Sequence, residues 1–172
     1  MKSILHYITI TLLLSVVGIR AQAQAGVTAS MFAEVIAALT ATENSQLSFG
    51  KFSPETNGGE IHLSPQGARS VSGSVVLSGG GHSNGSFIIT GEDQATFSIT
   101  LPTGQSLLTN VSGTKTMVVK DWESIPAPGI GAGVLTGGTQ EVKVGATLVV
   151  GPMSDNPVGI YTGTYFITFA YN

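Results

Sequence analysis

Apolar and polar residues alternate at the C-terminal end of the chain. Four large apolar residues occupy every second position there: Tyr165, Ile167, Phe169 and Tyr171. This two-residue period, with aromatic and β-branched side chains, predicts a half-buried β-strand in which Phe169 is buried. Its apolar face has to be covered by an earlier part of the same chain or by another chain.

A second alternating stretch, residues 26–42, lies near the start of the chain. Apolar residues fill every odd position from 27 to 41. The Ala-rich part, residues 31–39, is compatible with a helix, but the two-residue period favours a strand. Because a typical strand has about 5–6 residues, the stretch is either one bent strand or a free N-terminal arm followed by the first sheet strand. The unbroken alternation favours its inclusion in the sheet of its own domain.

Short alternating runs separated by turn residues continue through the middle of the chain. They predict strands at residues 47–52, 60–63, 70–77, 86–90, 95–101, 115–123 and 139–150. The sequence at residues 57–59, Asn-Gly-Gly, predicts a hairpin turn between the first two of these strands. Residues 126–138 have the least regular pattern. Strands spaced in this way predict an all-β sandwich.

Residues 1–25 have the features of a cleaved secretory signal peptide. Lys2 gives a positive start, residues 7–19 are apolar but too few to cross a bilayer, and Ala-x-Ala sites end at Ala23 and Ala25. A short membrane anchor is the alternative. We expect an exported protein with no mature membrane span, located in the periplasm, at the cell surface or outside the cell.

The composition narrows the class of partner. Without Lys2 and Arg20, the predicted mature chain has five basic residues against ten acidic ones. This balance argues against nucleic acid and anionic membranes as partners, because both require a basic surface. The chain has no cysteine, so its stability has to come from the β core rather than from disulfides.

Residues with catalytic or metal-binding side chains are few and scattered. His62 and His82 are the histidines of the predicted mature chain, and a metal site would require further ligands close to them. Asp121 and Glu123 flank Trp122, and a carboxylate pair beside an aromatic ring is compatible with a sugar site. A solvated strand edge is the simpler interpretation. We expect no enzymatic activity, no cofactor and no metal, since the sequence has no motif for a Ser or Cys nucleophile.

The end of the chain resembles known exported β-proteins. Gly159 lies fourteen residues from the end, counting Asn172 as the first, and Tyr171 is penultimate. This arrangement resembles the C-terminal signature of chaperone–usher pilins and spore-coat-U-like subunits. The chain also resembles domain of unknown function 4402, a family of small secreted bacterial β-proteins, in four pieces: Leu47-Ser-Phe-Gly50, Leu63-Ser-Pro-Gln-Gly67, Val144-Gly-Ala-Thr-Leu148 and Gly159-Ile-Tyr-Thr-Gly163. With the strand pattern, the resemblance implies a single antiparallel immunoglobulin-like or pilin-like β-sandwich over residues 26–172.

The pilin resemblance implies assembly by strand exchange. In such systems an open groove accepts a strand, whose main chain supplies hydrogen bonds and whose alternate side chains fill pockets. The residues assigned to this interaction are Val27, Ala29, Met31, Ala33, Gly159, Tyr165, Ile167, Phe169 and Tyr171. The chain lacks the paired cysteines of many pilins. The alternative is a sandwich that is complete within one chain and needs no donated strand.

We therefore expect an exported bacterial structural or surface protein, fimbrial-subunit-like or adhesin-like. Its expected partners are copies of itself or related subunits and a periplasmic chaperone. The alternative is a secreted glycan- or ligand-binding β-sandwich module that uses Asp121, Trp122 and Glu123.

Overall fold

The computed structural model describes residues 24–172. The chain divides into two units, Met1–Glu34 and Val35–Asn172. In the first unit the described residues, 24–34, form no helix or strand and expose their side chains. The predicted signal peptide lies outside the described residues, apart from its last two positions.

The second unit is built from β-strands. They are β1 (Thr40–Ser45), β2 (Phe52–Leu63), β3 (Arg69–Leu77), β4 (Gly85–Thr90), β5 (Thr96–Thr100), β6 (Ser106–Asn110), β7 (Thr116–Ile125), β8 (Gly129–Val134), β9 (Thr139–Val150), β10 (Tyr161–Thr162) and β11 (Thr168–Tyr171). Residues 24–172 contain no helix, and therefore none with the length and apolar character needed to cross a membrane.

The strands form two sheets in which all pairs are antiparallel. The larger sheet has the order β1-β4-β9-β7-β6-β10, and β2 pairs with both β9 and β3. The smaller sheet has the order β11-β5-β8. The structure thus confirms the predicted all-β, antiparallel, sandwich-like fold.

Strand β9 contributes a row of buried side chains to both hydrophobic clusters of the unit. Its buried even-numbered residues are Val142, Val144, Ala146, Leu148 and Val150. The first two pack with Phe97 and Ile99 of β5, which belongs to the small sheet. The last three pack with Ile61 of β2 and Met117 of β7. Burial of this apolar surface is the main force that holds the unit together.

The hairpin turn predicted at residues 57–59 is wrong. These residues lie inside β2, a single strand that pairs with β3. The pairing shifts register between Pro54 and Gly58, so the chain forms a bulge there rather than a turn. Gly58 has a φ of 66°, and a side chain on it would collide with the carbonyl oxygen of Val150. Turns and bulges both require glycine at positive φ, so the local sequence does not distinguish them.

The N-terminal alternation does not continue into the sheet. β1 begins at Thr40, and residues 24–39 pair with none of the described strands. The preference for placing residues 26–42 in the domain's own sheet is therefore wrong for residues 26–39, whereas residues 40–42 lie in β1. The alternative, an arm followed by the first sheet strand, describes these residues. We call residues 26–36 the N-terminal arm.

Two other predictions differ from the structure. Residues 47–51 form only an isolated bridge, between Ser48 and Ser83, rather than a strand. Within residues 126–138, predicted as the least regular, lies strand β8. Gly133 in β8 leaves room for the ring of Phe97, and glycine at alternate positions of β8 removes the apolar period that reveals a strand.

Candidate functional site

The C-terminal segment crosses from the large sheet to the small one. Strand β10 pairs with β6 in the large sheet, and β11 pairs with β5 in the small sheet. Residues 163–167 connect them and pair with none of the described strands. The predicted strand is therefore present, but only β11 at its end is paired.

The predicted alternation of this segment is confirmed. The half-buried positions are Tyr165, Ile167, Phe169 and Tyr171, and the positions between them are exposed. Phe169 packs against Phe87 and Phe97, with ring centroids 5.8 and 6.2 Å away. Phe169 is nevertheless half-buried rather than fully buried, so one side of the apolar row remains open to solvent.

A groove separates two unpaired strand edges. β1 pairs only with β4, and β11 pairs only with β5, so each strand keeps one edge without a partner among the described strands. Leu39, Thr40 and Ala41 line one wall of the groove, and residues 166–169 line the other. Its volume is about 260 Å³. We call it the edge groove, and its two unpaired edges are sites where an added strand can form hydrogen bonds.

Three hydrogen bonds close one end of the edge groove. The Tyr171 hydroxyl donates to the carbonyl oxygen of Ala37 at 2.9 Å and accepts from the backbone N–H of Glu92 at 2.7 Å. The backbone N–H of Ala37 donates to a carboxylate oxygen of Glu92 at 3.0 Å. We call Ala37, Glu92 and Tyr171 the clamp, because together they join the chain before β1 to the end of β11.

At its other end the edge groove is lined by Phe166, and Tyr165 is the next residue beyond it. Burial raises the pKa of this phenol to about 12, and the negative charge of Glu43 in β1 adds to the effect. The Tyr165 hydroxyl has no hydrogen-bond partner among the described residues, so it forms no clamp at this end. Because Ala37 meets Tyr171 and Glu43 lies near Tyr165, the two walls run in opposite directions.

Phe166 stands between the edge groove and a second groove. Its side chain is 80% exposed, although it is strongly apolar. The second groove has a volume of about 650 Å³ and is lined by residues 100–103, Ser106, residues 164–166 and Thr168. An exposed aromatic residue beside apolar grooves is typical of an interaction surface.

The predicted donor residues lie in the N-terminal arm. Val27 is 90% exposed and Met31 is 98% exposed. Ala29 and Ala33, on the same alternating face, are exposed as well. The arm thus presents a row of apolar side chains in a sequence that favours a strand.

Gly159 has a local structural role next to β10. A side chain at this position would collide with the side-chain amide of Asn110, which is buried. Beyond it, the carbonyl oxygen of Ile160 accepts a hydrogen bond from the N–H of Val111. Gly159 therefore lets the chain pass close to β6 as it enters β10.

Trp122, the aromatic member of the alternative ligand site, points into the core. In β7, Lys120 pairs with Thr147 of β9 and Glu123 pairs with Gly145, so two residues of β7 face one of β9. This bulge shifts the inward side of the strand onto Trp122. Its indole packs against the ring of Tyr165, with centroids 4.7 Å apart.

The two carboxylates of the alternative site lie away from this indole. Asp121 and Glu123 are exposed, 3.4 Å from the ammonium of Lys120 and 4.0 Å from the imidazole of His62, respectively. The structure therefore does not join them with Trp122 in one surface site. In residues 24–172, no group of three or more His, Cys, Asp or Glu side chains is placed to hold a metal ion.

Comparison with known proteins identifies one family. Residues 39–171 match the family described as a domain of unknown function (DUF4402). The match begins after the N-terminal arm and ends at Tyr171, so it includes both walls of the edge groove. No curated protein and no solved structure shows a significant match to the chain. The predicted resemblance to this family is confirmed, whereas the resemblance to pilins and spore-coat-U-like subunits stays a prediction.

Proposed function

The chain belongs to the family described as a domain of unknown function (DUF4402), and we propose that it is an exported bacterial structural or surface subunit that assembles by strand donation. The N-terminal arm of one copy is the donor strand. The edge groove of another copy is the acceptor. The protein is fimbrial-subunit-like in this sense and carries out no catalysis.

One observation carries this proposal: the same chain contains an unpaired strand-forming arm and a groove between unpaired strand edges. The arm has five apolar residues on one face, Val27, Ala29, Met31, Ala33 and Val35. A strand laid in the edge groove would offer main-chain hydrogen bonds to β1 and β11 and would place alternate side chains between the sheets.

The apolar row of the C-terminal segment supports the same arrangement. Ile167 and Phe169 line the edge groove and remain half-buried. Covering them would remove further apolar surface from water, which contributes about 25 cal/mol per Å². Electrostatics permit the docking, because Glu34 is the only charged residue of the arm.

The proposed cellular setting follows from the predicted signal peptide. The subunit would be exported and then act in the periplasm, at the cell surface or outside the cell. An unfilled groove between exported subunits is an aggregation hazard. A periplasmic chaperone that lends a strand before assembly is therefore a reasonable partner, together with copies of this chain or related subunits.

Deletion of residues 26–36 tests the proposal. Their side chains are exposed and they pair with none of the described strands, so the deletion should leave a domain that still folds and melts cooperatively. Size-exclusion chromatography should show multimers for the mature chain and a monomer for the deletion variant. Denaturant-resistant ladders on a non-boiled gel should disappear in parallel.

A pair of point variants separates strand donation from simple loss of chain length. Met31→Ser removes a large apolar side chain from the donor face and should reduce assembly. Ser30→Thr changes the opposite face of the arm and should leave assembly intact. A mature chain that is strictly monomeric, or a deletion variant that assembles as well as the full chain, would rule out strand donation by the arm.

A further inference from the structure

The two ends of the edge groove differ. At one end the clamp joins its two walls through the hydroxyl of Tyr171, the backbone of Ala37 and the carboxylate of Glu92. At the other end, near Tyr165, no hydrogen bond among the described residues joins the two walls; the Tyr165 hydroxyl itself is buried and has no partner there. A strand entering the groove therefore meets a hydrogen-bonded barrier at Tyr171, whereas at the end near Tyr165 the edge groove adjoins the second groove, with which it shares Phe166 and Thr168.

The structure around the clamp is fitted to the Tyr171 hydroxyl. Gly91 lies against it so closely that a side chain at position 91 would collide with the phenol oxygen. The next residue is Glu92, which supplies both a backbone donor and a carboxylate acceptor. The approach of the Tyr171 hydroxyl to Glu92 therefore requires glycine at position 91.

The N-terminal arm does not specify its own register. Its donor face has apolar residues at five successive odd positions, from Val27 to Val35. A slip of one residue would turn this face outward, but a slip of two residues would return apolar side chains to the same places. A defined register thus requires a feature outside the side-chain pattern.

We propose that the clamp is an end stop that fixes the register of the docked arm, an inference that rests on the proposed strand donation. The arm is tethered to its own domain at its C-terminal end, so its N-terminal tip is the end that advances along the groove. The tip stops at Tyr171 and Glu92, while the tether leaves past Tyr165. The docked arm is then antiparallel to the C-terminal segment. Tyr171 acts here as a positioning residue.

Disulfide trapping between two variants tests the end stop. The chain contains no cysteine, so each introduced thiol is unique. One full-length variant carries Ala41→Cys, at a position that lines the edge groove. A series of second variants carries a single cysteine at each successive position from 27 to 33. Mixing the two kinds of variant and oxidising them reports which arm residue lies beside position 41.

The same series is then repeated with Tyr171→Phe in the groove variant. This change removes the hydroxyl and its two hydrogen bonds, and leaves the direct bond from the Ala37 N–H to the Glu92 carboxylate. Tyr161→Phe is the matched control, because the Tyr161 hydroxyl donates to the carbonyl oxygen of Pro157. Melting temperatures of both variants confirm that they are folded.

The end stop predicts one preferred cross-linking position in the unsubstituted background and in Tyr161→Phe. In Tyr171→Phe, cross-links should spread to positions two residues away, with at least a several-fold loss of preference. An unchanged single position in Tyr171→Phe would overturn the end stop but leave strand donation standing. If no arm position cross-links in any background, strand donation itself fails, and the end stop fails with it.

Discussion

The hydroxyl of Tyr171 donates a hydrogen bond to the carbonyl oxygen of Ala37, 134 residues earlier in the chain, at 2.9 Å. This contact joins the end of β11 to the residue at which the chain approaches β1. Both strands are sheet edges, so the contact also fixes the distance between the two walls of the edge groove at that end. Tyr171 thus contributes to the candidate site twice, with its backbone in β11 and with its hydroxyl in the clamp.

Phe169 and Phe166 should respond differently to truncation. Phe169 packs against Phe87 and Phe97, and because it is only half-buried Phe169→Ala should cost about 2–3 kcal/mol, less than a fully buried ring. Phe166 is 80% exposed, so Phe166→Ala should change the free energy of unfolding by less than about 0.5 kcal/mol. Urea denaturation measures both. Equal losses would show that the strand faces are assigned wrongly.

Phe166 should matter for assembly even though it matters little for the stability of the monomer. Phe166 lines the edge groove, so Phe166→Ser should weaken multimer formation while the monomer keeps its urea midpoint. Sedimentation velocity at several concentrations measures the association. Unaltered association would place Phe166 outside the interface.

Gly133 should be intolerant of a side chain. A Cβ there would overlap the ring of Phe97, which is fully buried, so Gly133→Ala should cost about 1–3 kcal/mol by overpacking. Gly104→Ala is the control, since a Cβ at this position meets no atom within 4 Å. Thermal denaturation compares the two variants. A Gly133→Ala protein as stable as the control would contradict the packing of β8 against β5.

The strand pattern could be predicted from sequence wherever one face of a strand is apolar. β9 and the alternation of the C-terminal segment were predicted on this basis, because their inward residues are large and regularly spaced. β8 was not, since glycines take the place of apolar side chains at its alternate positions, and one of them, Gly133, accommodates the ring of Phe97 from another strand. The bulge in β2 was predicted as a turn because both features require glycine at positive φ.

The groove could be predicted only in part. Alternation identified its inward residues, Ile167 and Phe169, and the donor face of the arm. Ala37 and Glu92 were missed, because their contacts with Tyr171 join residues far apart in the sequence and involve backbone atoms. The separation of Trp122 from Asp121 and Glu123 could not be predicted, because the bulge in β7 that turns the indole inward has no glycine to reveal it.

The predicted signal peptide indicates the residue at which the exported chain should begin. Residues 7–19 are apolar, and small residues at positions 21, 23 and 25 offer cleavage sites. The exported protein should therefore begin within a few residues of Gly26. Intact mass measurement of secreted protein tests this, and a chain that retains Lys2 would contradict it.

Tyr165 should make stability fall at alkaline pH. Burial and the charge of Glu43 raise the pKa of its phenol from 10.0 to about 12 in the folded state. Below pH 10 the phenol is neutral in both states and contributes no pH dependence. Between pH 10 and 12 it ionises in the unfolded chain but not in the folded one, so the free energy of unfolding decreases as the pH rises.

Tyr165→Phe should remove this part of the alkaline loss. At pH 7 the variant should be at least as stable as the parent, because the deleted hydroxyl is buried and has no hydrogen-bond partner among the described residues. Lys120, whose pKa is raised by a hydrogen bond to Glu60, also weakens the fold at high pH, but it is present in both proteins and cancels in their difference. Urea midpoints measured from pH 8 to 12 should therefore diverge above pH 10, with the variant retaining more stability. Parallel curves would show that the phenol of Tyr165 is ionised as readily in the folded protein as in the unfolded chain, and hence that it is not buried in the folded domain.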